Sequence, residues 1–175
     1  SLKLRHKILS SNDDTDMPLS PLGILHTVNA LAPVFSGLYL CWYDKQITST
    51  TPLGIFYLIT TFIAAASALG IYKHGGFNAA HGLAVLTILA IAAGAIAEKT
   101  SLLGGFTKYF VALCFSGTLL FHFIPTATEI LTRFPMDAPL VSSFEDPLLQ
   151  KTFLTIVVIF LVMFALQINW LRKQP

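Results

Sequence analysis

Three histidines sit inside strongly apolar stretches of this chain: His26 in "SPLGILHTVNALAPVFSGLYLCWY", His81 in "GGFNAAHGLAVLTILAI" and His122 in "CFSGTLLFHFIPTATEI". Imidazole in such surroundings is costly unless it is hydrogen-bonded or ligated. Its chemistry is specific. Neutral imidazole ligates zinc, iron and copper. Two histidines on facing helices clamp a haem iron from both sides. Three nitrogen donors and an open position make a zinc site that activates water. Glu129 follows His122 by seven residues, shares its helical face if the helix passes Pro125, and offers a carboxylate as a fourth ligand or a general base. His26, His81 and His122 are therefore the expected cofactor-binding residues, for haem or a transition metal, with Glu129 joining them in the metal alternative.

The elements that must position these residues follow from composition. Hydrophobic residues make up 54% of the 175 and charged residues 11%, against about 25% charged in an average soluble domain. About 20 apolar residues cross a bilayer. The expected fold is an all-α integral membrane bundle of five transmembrane helices, over residues 20–43, 52–72, 77–97, 106–125 and 152–171. A polar N-terminal tail, 1–19, precedes the first span; its Asp13, Asp14 and Asp16 argue against a cleaved targeting segment. An interfacial loop, 134–151, precedes the last span. Pro33 and Pro125 are expected to kink the helices that contain them.

Alternating spans put all five histidines on one side of the membrane. His6 lies in the tail and His74 in the turn "KHGG", where water satisfies them. His26, His81 and His122 each lie about 6–9 Å below that surface at 1.5 Å of rise per residue. Asn29, Ser67 and Asn78 supply polar company at the same level. The basic residues are split almost evenly between the two sides, and the early ones lean towards a cytoplasmic N-terminus.

Other signals are structural. The net charge of +2 and the lack of a basic stripe exclude a nucleic-acid partner. Cys41 and Cys114 fall within apolar runs and read as small buried residues. Ala64, Ala68, Ala80, Ala84, Ala90 and Gly94 recur at spacings of four, so helix backbones approach closely there, either within the bundle or against other membrane subunits or a second copy. Asp44, Glu98, Asp137, Glu145 and Asp146 fall in loops, where solvated charge is expected. Phosphate-binding loops and nucleophile elbows are absent.

The segments "TPLGIFYLITTFIAAASALGIY", "GGFNAAHGLAVLTILAIAAGAIA" and "KYFVALCFSG" resemble a group of bacterial multi-pass membrane proteins of uncharacterised function, themselves distantly similar to transmembrane cytochromes b. The shared positions are Gly54 and Tyr57 at the head of one helix, then Phe77 and His81 at the head of the next, and the resemblance covers residues 22–124. That group commonly carries His-Arg shortly ahead of the glycine; this chain has "STTP" there. The resemblance implies a helical fold and a bacterial inner-membrane setting, and brings no activity.

Three functional readings follow. The first is a redox or metal-binding membrane protein using His26, His81 and His122. The second is a non-catalytic membrane subunit or small transporter whose histidines relay protons or hold helices together. The third is an intramembrane zinc hydrolase with Glu129 as base.

Overall fold

The helices begin where the sequence supplies caps. A computed structural model describes residues 21–71 and 76–174. Among them run five α-helices: α1 Pro21–Tyr39, α2 Pro52–Ala68, α3 Ala79–Thr100, α4 Thr107–Arg133 and α5 Pro147–Arg172. Thr51 caps α2, its side chain accepting from the Gly54 N–H. Asp146 caps α5, accepting from the Leu148 N–H. In both, proline takes the first helical position, where its missing N–H costs nothing. Asn78 caps α3 by accepting from the Ala80 and His81 N–H groups.

Three helical stretches, Ala79–Thr100, Gly104–Arg133 and Pro147–Arg172, are long and apolar enough to cross a membrane. This composition marks a membrane protein. Helix α2 is apolar but shorter, and α1 carries His26, Asn29 and Pro33 within its length. A π-helical turn, Leu40–Asp44, extends α1 and is closed by Lys45 in a left-handed conformation. The expected tail, 1–19, with His6, lies outside the described residues, as does His74.

Several boundaries differ from expectation. Helix α2 stops at Ala68, and Leu69 and Gly70 form a turn. Helix α4 runs through Pro125 to Arg133; the Thr126 and Thr128 hydroxyls bond carbonyls one turn back. Helix α5 starts at Pro147, inside the stretch expected to be loop.

Helices α1 to α4 close on one another, α1 touching both α2 and α4, while α5 packs on α4. Small residues set the spacing. A Cβ on Gly37 would stand 2.6 Å from the Tyr57 ring, and one on Gly94 would stand 2.5 Å from the Phe115 ring. Ala64 and Ala84 are buried as expected, whereas Ala80 is exposed and Gly82 has open space beside it. Leu40, Tyr57, Leu58, Phe115 and Leu119 form the centre of the core.

Candidate functional site

A buried polar track runs along α2. It starts at Tyr57, which is 0% exposed. Its ring packs against the flat side of α1 that Gly37 provides. Its hydroxyl lies 2.6 Å from Thr118 Oγ1 on α4. Thr118 donates to the Phe115 carbonyl at 2.7 Å, and the Tyr57 hydroxyl lies 3.4 Å from the same oxygen. One turn along α2, Thr61 is also 0% exposed, and its side chain lies within hydrogen-bonding reach of Tyr57.

Thr61 Oγ1 meets His122 Nε2 of α4 at 3.3 Å. His122 is within electrostatic range of His26. His26 Nδ1 in turn lies 3.0 Å from Ser67 Oγ, near the end of α2. Ser67 donates to the Ala64 carbonyl at 3.0 Å, which leaves its oxygen to accept the His26 Nδ1–H. Beside this contact, Asn29 donates to the Thr60 carbonyl at 2.9 Å. From Tyr57 to Ser67 the track covers ten residues of α2, about 15 Å, roughly half of a 30 Å hydrocarbon core.

The track has polar neighbours on the other side of Tyr57. Cys41 packs against the core around Tyr57 and lines a cavity together with Ser116. Ser116 donates to Gln167 Oε1 at 3.0 Å. Gln167 Nε2 donates to the Lys45 carbonyl at 2.8 Å.

The expected ligands are thus distributed differently from a metal centre. His26 and His122 both turn towards α2. His81 is 2% exposed, and its Nδ1 accepts from the Asn78 backbone N–H at 3.3 Å, completing a capping box at the start of α3. Its ring also packs beside Phe77, with centroids 5.3 Å apart. Glu129 is exposed and forms an ion pair with Arg133 one turn on. Among the described residues, no group of three or more His, Cys, Asp or Glu side chains is placed to hold a metal ion. Donors expected at one depth are therefore not gathered at one point, because equal depth fixes neither helix rotation nor which helices are neighbours.

Glu98 corrects another expectation. It lies within α3 rather than in a loop. Its carboxylate accepts from the Ser49 N–H at 2.9 Å and from the Thr48 and Ser49 hydroxyls. It anchors the turn between α1 and α2 at the end of the bundle away from His26 and His81. Gly54 belongs to the same anchor, since a Cβ there would fall 1.9 Å from the Thr48 carbonyl oxygen.

Thr61, Thr118, Ser116 and Gln167 escaped the sequence reading, and Tyr57 entered it only as a shared position of the resemblance. The signal available was hydroxyl spacing: Tyr57 and Thr61 are four apart, hence on one helical face, and Gln167 interrupts the apolar run "VIFLVMFALQINW". Comparison with protein-family models, curated proteins and solved structures finds no match to this chain.

Proposed function

We propose that this chain is a five-span protein of a bacterial inner membrane, a small transporter or a non-catalytic subunit, in which the track from Ser67 to Tyr57 relays protons. The observation that carries the reading is the His122–Thr61 contact. It joins an imidazole to a pair of buried hydroxyl groups. Imidazole, threonine and tyrosine each both donate and accept hydrogen bonds, so a proton entering at one end can be passed on by hydroxyl rotation and tautomer exchange. Ionisable groups inside a membrane are functional candidates for such relays. The histidine end lies near one surface, where water can load it.

The test is proton flux into liposomes containing the purified protein, read by an internal pH dye under a potassium diffusion potential. The parent is expected to exceed protein-free liposomes. Thr61→Val, which keeps shape and removes the hydroxyl, is expected to return flux to the protein-free level. Parent flux no greater than that of empty liposomes sinks the proton reading. An absorption spectrum of the same sample addresses the redox reading. A haem Soret band, or stoichiometric metal, lost in both His26→Ala and His122→Ala would put cofactor chemistry in place of the relay.

A further inference from the structure

A cavity of about 310 Å³ lies between α4 and α5, away from the histidine pair. One side is lined by Leu119, Leu120 and Phe123, the other by Ile156, Phe160 and Met163. Its polar end is formed by Cys41, Lys45, Ser116 and Gln167. The size and the apolar wall with a few polar groups at one end are those of a ligand pocket.

Shape narrows the occupant. Along α5, Gln167 and Ile156 are eleven residues apart, about 16 Å. A cavity of about 310 Å³, drawn out over that length, has the size of a small ligand site and the shape to follow an extended hydrocarbon chain. Charge narrows it further. Lys45 is the charged residue among those that line it, and its carbonyl accepts from Gln167 Nε2 at the polar end. Its ammonium donates to the Trp42 carbonyl and lies 5.7 Å from the centre of that indole. An ammonium has three donors, so it can also receive an anionic head. Gln167 and Ser116 satisfy each other at the polar end, which leaves the buried wall below them apolar.

We propose that this cavity binds one long-chain carboxylate, with its head at Lys45 and its chain running down between α4 and α5 towards Phe123 and Ile156. The proposal stands on the cavity alone and does not depend on proton relay.

The test uses palmitic acid carrying a photoreactive diazirine at the chain end, added to proteoliposomes of the whole protein, with adducts mapped by mass spectrometry. Expected are saturable adducts on Phe123, Ile156 or Phe160, displaced by palmitate and not by hexadecanol. Lys45→Gln is expected to weaken binding at least about tenfold, as for loss of a charged hydrogen bond. Leu120→Trp or Met163→Trp, which fill the cavity, should abolish it. Val158→Trp, on the exposed side of α5, should leave it intact. Melting curves establish which variants fold, and the competition arm decides with the parent alone if both filling variants unfold. Unsaturable labelling spread over Leu154 and Val158 would mean ordinary boundary lipid and overturn the proposal. So would equal displacement by phosphatidylglycerol.

Discussion

The hydroxyls of Tyr57 and Thr118 are hydrogen-bonded at 2.6 Å, with both residues 0% exposed. This is a side-chain bond between α2 and α4 at the level where the core is most closed. Removing the hydroxyl while keeping the ring isolates its contribution. Tyr57→Phe is expected to lower stability by about 0.5–1.5 kcal/mol, the usual net worth of such a bond, read as a lower melting temperature in detergent. Thr118 keeps its bond to the Phe115 carbonyl, so the loss should not be larger.

The proposed relay separates His81 from His122. His81→Ala removes half of a capping box and should cost about 1 kcal/mol of stability, with proton flux unchanged. His122→Ala should abolish the flux, whatever its effect on melting. The same liposome assay and a melting curve for each variant check this. A large flux defect at His81 with normal flux at His122 would reverse the assignment.

Close packing makes Gly37 and Ala84 sensitive. Gly37→Ala places a methyl 2.6 Å from the Tyr57 ring and should destabilise by about 1–3 kcal/mol through overpacking. Ala84→Leu, at a position 5% exposed, should do likewise. Gly82→Ala meets nothing within 4 Å and should be neutral or stabilising, since alanine is favoured over glycine in helices. The three melting temperatures, measured side by side, provide the comparison.

Glu98 should be worth more than a surface carboxylate. Its bonds to Thr48 and Ser49 are charge-assisted, and losing such bonds costs about 1.5–3 kcal/mol each when the partner is ionised. Glu98→Gln retains one acceptor oxygen and should soften the turn. Thiol labelling of Ser49→Cys in the parent and Glu98→Gln backgrounds would show it as faster modification. Equal rates in both would mean that the turn holds itself.

The helical membrane character was legible because apolar runs of sufficient length have few alternatives; α3, α4 and α5 stand close to where hydropathy places them. Caps explain the boundary at Pro147: Asp146 followed by proline is a helix start hidden in a stretch that reads as polar loop. The site was only half legible. His26 and His122 are conspicuous because imidazole is rare in apolar runs, and Ser67 and Asn29 were noted as company. Thr61 and Thr118 were not, and Tyr57 stood out only through the resemblance, since threonine and tyrosine occur in membrane helices without special role. Whether two such residues meet depends on the rotation of α2 against α4, which no single-helix period encodes. Glu98 was misread for the same reason: its partners lie about fifty positions earlier in the chain.

That separation has a bearing on biogenesis. A ribosome delivers Thr48 and Ser49 well before Glu98, so the first hairpin forms with its turn unfastened. Fastening waits until the far end of α3 has emerged. The α1–α2 hairpin therefore keeps freedom to adjust its tilt and rotation while α3 is being placed. One carboxylate then works as a latch, closed only after three helices are present. A nascent chain stalled before Glu98 should leave Ser49→Cys open to a thiol reagent, and one stalled well past it, with α3 inserted, should protect it.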